Sequence, residues 1–343
     1  MSLISFLILA PALLLADAGT SVPGGGSPVP DSVVARASDR SGGDSLAAES
    51  DSLHLSLRLR MVGVPASAGS GRVVEPAGVA ADAFGRLYVT DAGSHRLVRY
   101  DARGAWLGEA GTLGSGAGQM RRPGAVTPLG TLGIAVLDRE NRRVLSYDLF
   151  GRLLGTLIDL VAPELEDQLD RVDPVDLAAD VGGAVYVADA ERDRLLVFDF
   201  AGRYVRTVGG YGAKPGSFRG LTGVAAGRRG QMVTTERGNA RVQTLDAGGR
   251  VLAAWPLHVR PGAGALPVAV DDSSRVAVAD ERTGRLWVFD SAGRPLAAAR
   301  GLRGPRGLAF ARDGALLVAE SGAGLVRRFV LEPDPRAPAA RGE

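Results

Sequence analysis

The sequence predicts an all-β chain, a six-bladed β-propeller of four-stranded antiparallel blades, and three regularities carry that expectation. An acid recurs at Asp91, Asp138, Asp189, Glu236, Asp280 and Glu320, spaced 47, 51, 47, 44 and 40 residues apart. Five of the six have an Arg five residues later, at Arg96, Arg143, Arg194, Arg241 and Arg285. The same five have an Asp ten residues later (Asp101, Asp148, Asp199, Asp246, Asp290), each followed three residues on by Gly. A long repeat with fixed internal punctuation is one supersecondary unit built several times over.

The unit opens on a proline. Pro76, Pro123, Pro174 and Pro305 each stand 15 residues before their acid. In the third unit, Val175–Ala179 and Ala184–Ala188 are two apolar runs split by Asp180-Val-Gly-Gly183. Short, partly β-branched runs bounded by Asp and Gly read as strands. A third run, Arg194–Phe198, ends at Asp199-Phe-Ala-Gly202. Asp there can accept main-chain N–H groups ahead of it, and Gly can take positive φ, so the tetrapeptide predicts a tight turn. Tyr204–Val208 is the fourth run. Each unit is then a four-stranded meander with two faces to cover, and a closed ring of blades covers both. Only Ala162–Val172 hints at a helix.

The sixth unit stops after three strands, at Pro333 and Pro335, and has Leu325 and Val330 where the others have Arg and Asp. Its missing strand has a candidate upstream. Leu57-Arg-Leu-Arg-Met-Val-Gly63 resembles Tyr204-Val-Arg-Thr-Val-Gly-Gly210, so an N-terminal strand at about 55–63 is expected to close the ring over residues 54–332.

Pro76-Ala-Gly-Val-Ala80, Asp82-Ala-Phe-Gly85, Leu87-Tyr-Val-Thr-Asp91, Asn239-Ala-Arg-Val-Gln243 and Asp246-Ala-Gly-Gly249 together resemble the NHL repeat. The resemblance spans about residues 73–332 and implies a six-bladed propeller. It implies no single activity, because NHL propellers are mostly binding surfaces and only some are enzymes.

Outside the ring, residues 3–16 form an apolar stretch of 14 followed by Ala16-Asp17-Ala18. That stretch is short for a membrane span. It predicts a signal peptide over 1–18, with an uncleaved anchor as the alternative, since no Lys or Arg precedes it. Residues 19–53, rich in Gly, Ser and Pro, predict a linker, and 333–343 a tail. The expected location is therefore periplasmic or secreted. The chain has no Cys and a formal net charge of +2, which excludes disulfide and thiolate chemistry and argues against nucleic acid as a partner.

The repeating acids and arginines are expected to pin the turns between second and third strands as exposed pairs, each contributing about 0–1 kcal/mol. One acid per blade does not converge on a metal. His54, His95 and His258 fall at inequivalent repeat positions, and Asn141 and Asn239 belong to turns, so neither a metal nor a cofactor is expected. The inner strands, such as Gly78–Ala81, Gly223–Ala226 and Gly307–Phe310, offer a ligand little. Asp176 departs from them, standing where the repeat has Gly, at the mouth of the channel. The inter-blade loops carry Arg121, Arg122, Tyr211, Arg219, His258, Arg260 and Arg303, residue types that suit recognition on a rigid scaffold. The reading is a monomeric, exported binding scaffold for a protein or glycan of the cell envelope. The alternative is a lyase or hydrolase acting at the channel mouth.

Overall fold

The computed structural model describes residues 57–63, 71–259 and 264–333. They form six four-stranded antiparallel sheets arranged as a six-bladed β-propeller. The first blade runs Pro76–Ala81, Leu87–Asp91, Arg96–Tyr100 and Trp106–Ala110 from the channel outward. The next four repeat the order, their inner strands being Pro123–Leu129, Pro174–Ala179, Leu221–Ala226 and Val268–Val270. In the sixth, Pro305–Phe310, Leu316–Glu320 and Leu325–Pro333 are completed by Leu57–Gly63. That N-terminal strand pairs antiparallel with the third, Leu57 opposite Pro333 and Met61 opposite Phe329. The expected closure is met. The predicted signal peptide, the whole predicted linker and residues 334–343 lie outside the described residues. A short helix, Pro163–Leu169, occupies the loop between the second and third blades. Among the described residues no helix is long and apolar enough to cross a membrane.

The blades are held by apolar clusters between neighbours. Second strands such as Val185–Asp189 and Leu316–Glu320 are buried at every position, because a strand sandwiched between blades has no solvent face. Leu317, Ala319 and Val326 of the last blade pack with Val79, Val89 and Val98 of the first. Each side chain so buried contributes about 1.5–3 kcal/mol. Turns take the predicted form. In Asp199-Phe-Ala-Gly202, Asp199 Oδ1 accepts the N–H groups of Ala201 and Arg203 at 2.9 Å, and Gly202 has φ 78°.

The repeating acids differ from expectation. They are not exposed: Asp91, Asp138, Asp189, Glu236 and Glu320 are each 0% accessible, and Asp280 1%. Each sits where the second strand ends beside the loop arriving from the previous blade. Asp138 accepts the Arg121 N–H at 2.7 Å, the Asn141 amide at 2.7 Å and Arg143 Nε at 2.8 Å. Asp189 takes the N–H groups of Asp173 and Glu191 and Arg194 Nε at 2.8 Å. Glu236 adds Gln243 Nε2 at 2.7 Å to Arg241 and Asn239. One carboxylate thus ties the incoming loop, the turn and the third strand together. In the sixth blade Leu325 replaces the usual arginine, but Arg327, two residues on and on the same strand face, pairs with Glu320 instead. Alternation of side chains along a strand explains the exchange.

Candidate functional site: the channel mouth

The six inner strands run in one direction around a channel, so strand starts ring one end, here called the mouth. The channel encloses about 1180 Å³. Its wall is mostly Ala, Val and Gly, from Gly78–Ala81, Gly124–Val126, Leu177–Ala179 and Gly307–Ala309. The small residues follow from how closely the inner strands approach. A Cβ on Gly78 would lie 2.6 Å from Gly124 O, one on Gly223 2.7 Å from Leu266 O, and one on Gly307 2.8 Å from Gly78 Cα.

Asp176 occupies the same register in the third blade. Its Oδ2 accepts the Val224 N–H of the fourth blade at 2.9 Å, and its Oδ1 accepts the Leu177 N–H at 2.9 Å. Two other seams, those after the first and fourth blades, are stitched from the second strand. Thr90 Oγ1 donates to Gly124 O, and Thr235 Oγ1 donates to Leu266 O at 2.5 Å. In the third blade the matching residue is Ala188, which has no hydroxyl, and Asp176 supplies the cross-seam bond. Burial is the main influence on its carboxyl and pushes its pKa up to about 7; the two N–H bonds pull the other way and lose.

A pH effect follows. An unfolded Asp titrates near 3.9, so between about pH 4 and about pH 7 the folded chain holds a proton here that the unfolded chain has released. Stability contributed by this site falls as pH rises through that window. Replacing Asp176 by Asn removes the titration. The melting temperature of the wild type relative to Asp176→Asn is expected to drop from about pH 5 to about pH 8. A constant difference in thermal scans across that range would refute it.

Above the bare wall stands a ring of charge. Arg306 bridges Glu75 Oε1 at 2.5 Å and Glu281 Oε1 at 2.7 Å. Glu75 also receives Arg122 at 2.8 Å, and Arg122 approaches Glu140 at 3.7 Å. Arg139 reaches Asp173 at 3.7 Å. Glu281 Oε2 accepts the Ala265 N–H at 3.0 Å. These pairs link the fifth, sixth, first, second and third blades. The fourth contributes Thr222 and no charged side chain to the lining. Arg142, Arg171 and Glu191 also line the mouth and form no ion pair among the described residues.

Of the residues singled out from sequence, Asp176 and Arg122 line the channel. Arg121, Arg219 and Arg303 share one repeat position: each donates its main-chain N–H to an acid, Asp138, Glu236 and Glu320 respectively, and leaves an exposed side chain. Tyr211 is 71% exposed on the outer loop and His258 is exposed beyond the fourth blade. Arg260 and His54 lie outside the described residues. His95 Nδ1 accepts the Arg122 N–H at 3.0 Å and, like His258, does not line the channel. Among the described residues no three His, Cys, Asp or Glu side chains gather as a metal site would require. Sequence reading missed Glu75, Arg139, Asp173, Glu191, Glu281 and Arg306. The signal was positional: each flanks either the strand-opening Pro or the repeating acid, and each is charged where some other units have Ala, Gly or Ser.

Fold and channel define a β-propeller of six blades. The NHL repeat family matches at residues 74–100, the first three strands of the first blade with their approach. No curated protein sequence matches the chain. Among solved structures, a streptogramin B lyase is similar at 12% identity and TM-score 0.53, over 80% of this chain and 98% of that one. Virginiamycin B lyase from Staphylococcus aureus is similar at 8% identity and TM-score 0.58, over 80% and 100%. A gluconolactonase of Xanthomonas campestris is similar at 14% identity and TM-score 0.58, over 84% and 93%. At such identities the likeness is one of fold.

Proposed function

We propose that this chain is an exported binding propeller that receives one partner, a protein or glycan of the cell envelope, at the channel mouth. The carrying observation is the mixed charge of that mouth over an almost featureless wall. Arg122, Arg139, Arg142, Arg171 and Arg306 are interspersed with Glu75, Glu140, Asp173, Glu191 and Glu281. Such a surface complements a partner carrying both signs rather than a polyanion, and mixed charges set specificity and association rate. Ala and Val side chains below can exclude water but cannot discriminate among ligands. Arg142, Arg171 and Glu191, having no ion-pair partner of their own among the described residues, are the groups with charge left to offer.

Charge reversal at Arg171→Glu with Glu191→Arg disturbs no blade contact. It is expected to weaken capture of the partner from envelope extract on the immobilised chain at least about tenfold, the scale of one or two interface ion pairs. Added salt should weaken the wild-type complex as well. Unchanged capture by the double variant would place recognition elsewhere and end the reading.

A second reading, a lyase or hydrolase, is favoured by one observation: Asp176 is a channel carboxyl whose pKa is raised to about 7. Groups so perturbed serve as acids or bases near neutrality. Two of the similar folds are named as lyases and one as a gluconolactonase. Turnover of gluconolactone or virginiamycin B by the wild type, abolished in Asp176→Asn, would favour this reading over binding.

A further inference from the structure

The end of the ring opposite the mouth is divided in two. Antiparallel order places the turns between first and second strands, and those between third and fourth, on that far face. Arg312 of the sixth blade donates to Ala83 O of the first there, and Arg228 of the fourth pairs with Asp272 of the fifth. In the first three blades five of the six turn tips are apolar, the sixth reading Ala102-Arg103. Phe84, Leu132, Phe150, Val181 and Phe200 are 66–85% exposed. In the last three, the corresponding turns read Arg228-Arg-Gly230, Asp272-Ser-Ser274, Arg312-Asp-Gly314, Ala247-Gly-Gly249 and Ser291-Ala-Gly293. The polar turns show that the fold needs no apolar side chain at a tip. The phenyl groups are surplus to folding.

The apolar tips form one sector. The Arg86 guanidinium lies 5.1 Å from the Phe84 ring and 5.7 Å from the Phe150 ring, joining the first blade to the second. Leu132 neighbours Gly133, which pairs with Asp148 at the start of the Phe150 turn. Phe200 packs beside Gly183 in the Val181 turn. Arg152 and Arg203 flank the sector with side chains 79% and 76% exposed, each paired with the acid of its own turn, Asp148 at 3.3 Å and Asp199 at 2.7 Å. Separate apolar tips standing proud of ion-paired turns suit a deformable interface: the rings enter the apolar layer while the paired charges stay at headgroup level.

The course of the chain points to the same face. The closing strand enters the ring at Leu57, opposite Pro333, the far end of the third strand. Upstream, 40 residues separate Leu57 from the apolar run at 3–16, ample length to span from that face into a bilayer beneath it. We propose that the far face of the first three blades docks on a phospholipid membrane through its apolar turn tips, leaving the channel mouth turned away from the lipid. This inference is independent of what the mouth binds.

The test is hydrogen exchange by mass spectrometry on the full chain, with and without vesicles of phosphatidylcholine and phosphatidylglycerol. Turns 82–85, 148–151, 180–183 and 199–202 should exchange about tenfold or more slowly with vesicles, and turns 227–230 and 271–274 at an unchanged rate. Phe84→Ser with Phe150→Ser and Phe200→Ser should abolish that slowing while the melting temperature holds, because turn tips carry no core contact. Equal exchange with and without vesicles overturns the proposal. So does slowing that appears without lipid and grows with protein concentration, which would identify a second copy of the chain as the occupant. Slowing that persists in the triple variant also overturns it.

Discussion

Replacing Asp189 by Ala should cost about 3–5 kcal/mol in unfolding free energy, the scale for breaking a buried ion pair by removing one partner. Asp189 is 0% accessible, and its carboxylate holds the N–H groups of Asp173 and Glu191 and the guanidinium of Arg194. Loss of the acid strands a mostly buried cation and two main-chain donors at once. An exposed pair would contribute far less, so the burial sets the magnitude. Urea unfolding of Asp189→Ala beside Asp199→Ala measures it. Asp199 is a partly exposed turn acid that holds only its own turn and Arg203, and its loss should cost far less than the loss of Asp189. Equal costs for the two would show that the buried acids are not the ties between loop, turn and strand. The sixth blade extends the argument. Arg327→Leu should destabilise as Arg194→Leu does, because Arg327 is the partner that Glu320 has in place of an arginine at Leu325.

Removal of residues 1–63 should destabilise the whole ring, lowering the melting temperature by about 10 °C or more. The closing strand pairs along the third strand of the last blade from Leu57 to Gly63. Leu57 and Leu59 pack on the cluster formed by Leu308, Leu316, Val318 and Phe329. Each leucine lost from such a site forfeits about 1–3 kcal/mol, and the strand edge exposed becomes a template for aggregation. Removal of residues 19–50, which the sequence reads as linker, should leave the melting temperature unchanged. Calorimetry of the two truncations decides the matter, and identical melting would mean that closure does not depend on the N-terminal strand. A ring transmits a local opening to every seam, so the deletion should act on the cooperativity of the entire unfolding transition and not only on the sixth blade.

The fold was legible because it is repeated. The Pro, acid, Arg, Asp and Gly punctuation marks the same turn in successive blades, and each copy checks the others. The strand spacing and the six blades followed from residue spacing, and the partner for the incomplete last blade from the likeness of Leu57–Gly63 to Tyr204–Gly210. The site was legible only in part. Asp176 and Arg122 were visible as departures from the repeat and do line the channel. Glu75, Arg139, Asp173, Glu191, Glu281 and Arg306 looked like ordinary loop charge, because a linear sequence does not display which loop residues meet across a ring. Glu75 and Arg306 are 231 residues apart in sequence and 2.5 Å apart in space.

The sequence by itself determined the local structure of each blade, since turns and strands depend on neighbours a few residues away. It also determined that the inner wall is bare, since Gly and Ala there are a matter of composition. Only the tertiary structure decided which acids are buried, which charges form the mouth ring, and that Asp176 replaces a missing threonine hydroxyl as the stitch between two blades. It alone decided, too, that five apolar turn tips share one sector of the far face. Burial, and the electrostatics that follow from it, depend on what the neighbouring blade places against a residue, and that is fixed only when the ring closes.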